Sequence, residues 1–481
     1  MRLHKTLAAL GVLAVAACDS DPVAPPTALA PPTIAFQDVP VDQEAAPQHM
    51  VLTHGAPQAG LLAAITDAGG EVVYQHDIGF VFVRGLSDEA ATEVSGLQSV
   101  ATVQADEWFE GEQTPYTQVA SATSITSPED PSGAAFFDRQ WHMRAIKAQY
   151  AWKAGRTGSS DVTVAILDTG VDPAHLDLDG RVDLSRSISF VEIDDIFAEA
   201  FFPGRPLVTD LHFHGTHVAA TAVSNGIVAA GVTSMPTIMG VKVCTFTDFT
   251  CSTAAVFSGI LFAIENGADV VNLSLGGVFP QTGNEDFVQF IQDVFKLAWK
   301  QGVTMVVAAG NSASDLDNNG DLFAAYCDAR GVICVAATGP TSAPSPEGPF
   351  VDVDAPAPYT NFGRRSIDVA APGGNFADGL PWGGVWAACS TTSLLVPDCQ
   401  ASPTFALSVV GTSMATPHVS GLAALVVEDQ GRRPARVRAK IIRRADDIGP
   451  RGPDEFSGRG RINVPRSIKM PKRSRGKVTK K

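Results

Sequence analysis

Four short runs limit what this chain can fold into. VTVAILD, ADVVNLSL, VTMVVAA and VICVAAT, all between residues 162 and 338, are almost wholly apolar. Helical segments such as STAAVFSGILFAIENG and NEDFVQFIQDVFKLAWKQG stand between them. A strand apolar on both sides needs cover on both faces. The pattern therefore predicts an α/β domain from about Phe136 to about Pro465, with a mostly parallel sheet flanked by helices on both faces. No internal repeat is evident. At 481 residues the chain has room for this domain and a smaller one.

Residues 48–110 supply the smaller one. QHMVLTH reads as a strand and PQAGLLAAITDAGG as a helix stopped at Gly69-Gly70. EVVYQHDIGFVFVRGL alternates like two strands joined around Gly79, SDEAATEVSGL opens a second helix on a Ser cap, and VATVQADEWFE is a last strand. The order β-α-β-β-α-β is a compact ferredoxin-like α/β motif that names no function by itself. Residues 111–135 are polar and turn-rich and read as an exposed linker.

The N-terminus reads as an export signal. Arg2 and Lys5 precede an apolar stretch from Leu7 to Ala17, too short for a stable membrane span. It ends in VAAC, which resembles a bacterial lipobox with Cys18 as the lipidated thiol. An ordinary signal-peptidase cut after Ala14-Val15-Ala16 is the competing reading. The expectation is an exported bacterial protein, either a cell-envelope lipoprotein held to a membrane through Cys18 or a secreted one. Residues 1–18 are then the signal segment, and 19–47 a Pro-rich tether. Export gives the other cysteines meaning: Cys244 and Cys251, Cys327 and Cys334, and Cys389 and Cys399 form three close pairs, and disulfides in that pairing are expected. The last sixteen residues, 466–481, carry eight basic side chains and no acidic one, so the formal charge of −16 conceals a more acidic body. Such a body repels nucleic acid, and the basic tail reads as a solvated end.

The chemistry is concentrated in three places. VTVAILDTGVD ends an apolar strand in Asp168 before the turn-forming Thr169-Gly170, and the ends of parallel strands are where open α/β sheets hold their sites. An Asp that merely caps a turn is the plain alternative. DLHFHGTHVAA, residues 210–220, then sets His212, His214 and His217 within six residues. His214 and His217 are three apart with no adjacent Glu, unlike the H-E-x-x-H of a zincin, yet a three-histidine zinc site stays geometrically open. GTSMATPHVSGLAALVVED, residues 411–429, places Ser413 at the start of an apolar helix. A serine there has a free backbone amide and can serve as nucleophile and oxyanion donor at once.

ILDTGVD, HGTHVA and GTSMATPHVSG together resemble the three catalytic blocks of the subtilisin-like serine proteases, in that family's chain order. The resemblance runs from about Gln140 to about Asn463. It implies that Asp168 orients the imidazole, His214 is the general base and Ser413 the nucleophile. His217 is then scaffold, and His212, with no family role, is expected to be a partly exposed polar residue. VVAAGNSAS resembles the oxyanion segment and assigns Asn311. VVNLSLGG resembles the strand that pairs with substrate and walls its main pocket, which assigns Ser274, Leu275 and Gly276. The resemblance further implies polypeptide substrates, a monomer, no cofactor for catalysis, and residues 48–110 as a prodomain that assists folding and inhibits the enzyme until cut away within 111–136.

Some features depart from the family pattern or stand outside it. Ala220 stands where the family has Gly after HVA. Val182–Leu211 reads as a surface loop near the cleft. Ser312 brings no charge to the first pocket, which favours apolar or broad preference. In DLDNNGD, Asp315, Asp317, Asn319 and Gly320 have the spacing of a calcium loop's start, but Tyr326 stands where a bidentate Glu belongs. A structural calcium and a solvated turn are both open. The functional expectation is a self-processing serine endopeptidase. An inactive peptide-binding relative and a zinc-dependent hydrolase are the alternatives.

Overall fold

The alternating pattern is realised as a seven-stranded parallel sheet in a computed structural model that describes residues 46–111, 115–125, 130–376 and 380–471. From one edge to the other the strands are Val369–Pro372, Ile333–Thr338, Thr304–Ala308, Val270–Leu273, Thr163–Asp168, Thr237–Lys242 and Ile188–Ser189. Each neighbour pair is parallel. Period-two alternation sorts the side chains to two cores. Val164, Ile166, Val270, Val306 and Val335 pack with Val218 and Leu422 on one face. Ala165, Leu167, Val271, Val307 and Ala336 pack with Phe257 and Ile260 on the other. Helices cover both faces of the sheet, as its apolar strands required.

Successive strands leave Thr163–Asp168 first towards one edge and then, after Thr237–Lys242, towards the other. Sheet order therefore reverses beside Asp168, at the carboxyl ends of the strands. That crevice is where an open α/β sheet receives a ligand. Two helices of small residues close over it. His214–Ala222 is buried along its whole length, and Thr412–Gln430 is buried from Thr412 to Val427.

The N-terminal unit has strands Gln48–Thr53, Glu71–His76, Phe80–Arg84 and Val100–Ala105 in one antiparallel sheet, with helices Ala59–Asp67 and Asp88–Ser95. Ser87 caps the second helix, its hydroxyl accepting from the Ala90 N–H. This unit lies on the large domain through polar and apolar contacts. Asp106 caps helix Thr253–Glu265, accepting from the Ala254 N–H at 2.8 Å and the Ser252 hydroxyl at 2.5 Å. The Tyr74 hydroxyl donates to Glu265 at 2.7 Å, Arg84 pairs with Glu192 at 3.2 Å, and Phe80 stacks on Phe290.

Three local expectations need correction. VATVQADEWFE is two strands, because Val100–Ala105 completes the N-terminal sheet while Trp108–Glu110 pairs antiparallel with Thr250–Ser252 of the large domain. The exposed linker contains a strand, Tyr116–Ser121, paired with Phe405–Val409; its β-forming Tyr116, Thr117 and Val119 were hidden in a polar, turn-rich composition. Val182–Leu211 is more than a surface loop. It contains helix Glu192–Phe201, whose Phe197 and Ala198 are buried with Leu211, Phe246 and Leu394. Among the described residues no helix is long and apolar enough to cross a membrane. The signal stretch, Cys18, the tether and the tail beyond residue 471 lie outside the described residues.

Candidate active site

Asp168 ends strand Thr163–Asp168 fully buried, and its Oδ1 accepts from His214 Nδ1–H at 2.6 Å and from the Thr169 N–H at 2.8 Å. The histidine helix comes this close because residue 215 is glycine. A Cβ there would lie 2.0 Å from the Gly170 carbonyl oxygen and 3.0 Å from Asp168 Cβ. The opposite ring nitrogen of His214, Nε2, is buried without a hydrogen-bond partner. Phe249 lies against the ring, with centroids 4.5 Å apart.

Ser413 is the second residue of helix Thr412–Gln430, so its N–H has no carbonyl of the helix to meet. Gly411 before it has φ +151°, a conformation that favours glycine, and this sharp entry sets the serine at the mouth of the helix. The Ser413 hydroxyl donates to the Ser274 carbonyl at 2.9 Å and is not bonded to His214. In return the Ser274 hydroxyl donates to the Ser413 carbonyl at 2.8 Å. That carbonyl would normally bond the amide four residues on, but residue 417 is proline and has no N–H. Ser274 thus supplies the donor that Pro417 lacks. Asn272 supports Ser274 in turn, donating to its hydroxyl at 2.9 Å.

Asn311 turns its amide oxygen to Thr412, accepting from that residue's N–H at 2.8 Å and hydroxyl at 2.9 Å. The amide nitrogen consequently faces the other way. A cleft of about 590 Å³ opens beside these groups, walled by Leu275, Gly276 and Val278, by Ala308–Gly310, and by Ser312, Ser413 and Ala325. Glu110 and Asp315 are the carboxylates of its lining.

The family model of the subtilase family matches residues 159–460. The chain belongs to the subtilase family. Thermitase of Thermoactinomyces vulgaris is 31% identical over 345 residues, covering 71% of this chain and 99% of thermitase. The thermophilic serine proteinase of Bacillus sp. strain AK1 is also 31% identical, covering 69% of this chain and 68% of its own length. Among solved structures, the epidermin leader peptide processing serine protease of Staphylococcus aureus superposes with a TM-score of 0.65 at 19% identity, covering 88% of this chain and 98% of that one. The chain is a subtilisin-like serine protease.

The other two histidines of the run 210–220 have their own surroundings. His217 Nε2 donates to the carbonyls of Val385 at 3.0 Å and Leu407 at 3.3 Å, and burial pushes its pKa down to about 3. It is a neutral scaffold group. His212 is not the partly exposed residue expected, because Phe249 and Phe213 cover its ring and leave it 7% exposed. Its Nδ1 accepts the His214 N–H at 3.2 Å, and burial first, then His214, holds its pKa well below the usual histidine range. The three rings therefore do not converge on one point. Among the described residues no group of three or more His, Cys, Asp or Glu is placed to hold a metal ion.

The calcium-loop residues do not fit a cation either. Asp317 faces donors, accepting from the N–H groups of Arg365 and Ser366 and from the Ser366 hydroxyl. Asp315 accepts from the Asp317 N–H at 2.9 Å and from the Asn318 amide at 2.7 Å. The Asn319 amide nitrogen is buried without a partner, and a donor nitrogen repels a cation. Among the described residues the disulfides are Cys244–Cys251, Cys327–Cys334 and Cys389–Cys399.

Sequence reasoning passed over Asp210. Fully buried, it accepts from the Thr169 hydroxyl at 2.9 Å, the His212 N–H at 3.0 Å, and the Thr216 N–H and hydroxyl at 2.9 and 2.7 Å. It ties the start of the histidine helix to the residue beside Asp168. Burial raises its pKa to about 6. An Asp four residues before a helix-starting His was the available signal, overshadowed by the histidines.

Proposed function

We propose that this subtilase is an exported serine endopeptidase, made as a self-processing proenzyme and acting as a monomer on polypeptides. Asp168 fixes the tautomer and orientation of His214. The Ser413 hydroxyl, released from the Ser274 carbonyl by rotation of its side chain, gives its proton to His214 Nε2 as its oxygen attacks a peptide carbonyl. Asn311 Nδ2–H and the Ser413 N–H hold the oxyanion, His214 returns the proton to the leaving amine, and water admitted through His214 hydrolyses the acyl-enzyme. Catalysis needs no cofactor. The observation that carries the reading is the buried 2.6 Å Asp168–His214 bond, with the partnerless His214 Nε2 beyond it.

Residues 48–110 are the prodomain in this reading. Trp108–Glu110 adds itself as a strand to Thr250–Ser252, the Gly111 N–H donates to the Phe249 carbonyl at 2.6 Å, and Phe109 and Glu110 enter the cleft that holds Ser413. On the other side the Tyr116 ring meets Phe213, beside His214, at 5.8 Å. Five peptide steps from Gly111 to Tyr116 reach at most about 17 Å. In this reading the bond cut in self-processing lies between Gly111 and Tyr116, a narrower window than 111–136. Three disulfides agree with export to an oxidising compartment, and the lipobox assigns the anchor to Cys18.

The Ser413 hydroxyl bound to Ser274 favours one rival, an inactive peptide-binding relative. A fluorophosphonate probe separates the two. On the processed protein it should modify Ser413, as mapped by peptide mass, and should not modify a His214→Ala protein prepared in parallel. Absence of modification, or equal modification of both, would overturn the nucleophile assignment.

A further inference from the structure

We infer that strand Phe405–Val409 is an extended binding edge for the substrate residues that follow the scissile bond, and that this enzyme's own segment Tyr116–Ser121 occupies it as a second, exchangeable inhibitor. The inference rests on the protease reading above.

Direction comes first. Phe405–Val409 leads through Val410 and Gly411 to Ser413, and Tyr116–Ser121 runs antiparallel to it, with Tyr116 against Val409 and Ser121 against Phe405. Gly111 is hydrogen-bonded at Phe249, whose ring lies against His214, and the Tyr116 ring meets Phe213, the residue before His214. Tyr116–Ser121 consequently takes the path that any polypeptide must take on the leaving-group side. Added strands of this kind bind through main-chain hydrogen bonds and accept many sequences, so the ligand class is an extended peptide.

The hold is real but shallow. The Thr117 hydroxyl lies 2.9 Å from the Pro381 carbonyl and 3.0 Å from the Ser408 hydroxyl, Ser121 and Thr404 share a hydroxyl contact at 2.8 Å, and the Ala122 N–H donates to the Thr404 carbonyl at 3.0 Å. Yet every residue of Tyr116–Ser121 is only half-buried, and it forms the outer strand of its three-stranded sheet. Its place also lies before residue 159, where the match to the subtilase family begins. Cutting between Gly111 and Tyr116 frees the prodomain but leaves this strand on the large domain. Processing alone then opens the acyl side of the cleft and keeps the leaving-group side occupied.

Two substrates distinguish the sides. An N-acyl peptidyl p-nitroanilide ending in Phe has no residues beyond the scissile bond. A quenched fluorogenic peptide with eight residues beyond it must displace the strand. With processed enzyme, Thr117→Val should lower KM for the long peptide by about fivefold, the size of one or two lost hydrogen bonds, and leave kcat/KM for the anilide unchanged. The synthetic peptide PYTQVASA, added to the Thr117→Val protein, should restore the higher KM for the long peptide and leave anilide cleavage alone. Equal KM values for wild type and variant with the long peptide, or inhibition of both substrates alike by PYTQVASA, would overturn the inference. No anilide cleavage by either protein would overturn the protease reading itself, and this inference with it.

Discussion

Gly215→Ala tests the closest contact in the site. The added Cβ would stand 2.0 Å from the Gly170 carbonyl oxygen, against an ordinary contact of 3.4 Å or more, and both partners are backbone or helix atoms with no flexible end to yield. The start of the histidine helix must therefore move out by about 1.4 Å, the difference between those distances. A hydrogen bond of 2.6 Å between Asp168 and His214 does not survive such a shift. Misplacement of a catalytic group by about 1 Å costs on the order of 10²-fold in rate. Overpacking a buried site costs about 1–3 kcal/mol of stability. The assay is kcat on a peptidyl anilide beside thermal unfolding of the same preparation, with prodomain supplied in trans for folding. A folded variant with its melting point modestly lowered and kcat down about 100-fold is the expected result. Wild-type kcat would refute the reasoning, because the glycine would then not be what admits His214 to Asp168.

Three more outcomes follow from the geometry. Asn311→Asp keeps the oxygen that accepts from Thr412 and removes the amide donor; kcat should fall at least about 10²–10³-fold, the range known for this donor in subtilisin itself, with little change in melting point. Replacing Cys244 and Cys251 together by Ala opens a buried seven-residue link and should cost about 2.5 kcal/mol in a denaturant titration. His217→Gln tests the buried neutral histidine. Its folded pKa, about 3, lies below the unfolded value of 6.5, so the unfolded chain binds the proton first and the native state loses stability as pH falls from 6.5. The stability advantage of wild type over His217→Gln should accordingly shrink by up to about 1.4 kcal/mol per pH unit between pH 6 and 4, measured by urea unfolding.

Legibility in the sequence followed the strength of the local signal. Strands Thr163–Asp168, Val270–Leu273, Thr304–Ala308 and Ile333–Thr338 were readable because strands buried on both faces leave few polar residues in the run. The close-spaced cysteine pairs were readable for a similarly local reason. Tyr116–Ser121 was not, since a half-buried outer strand has no apolar run and its pairing partner lies almost 290 residues away. His212 was misjudged because its burial comes from Phe249, which a separate loop brings to it. The calcium-like turn kept the right spacing, but only the fold reveals that Arg365 and Ser366 face Asp317. The motifs singled out Asp168, His214 and Ser413, whereas the hold of Ser274 on both ends of Ser413 depends on Pro417 and on packing across the sheet.

The most direct test is intact mass of the chain without its signal segment, beside its Ser413→Ala variant prepared in the same way. The account predicts that the parent splits between Gly111 and Tyr116 while the variant stays whole. If both stay whole, or both are cut alike, Ser413 is not the group that makes the cut.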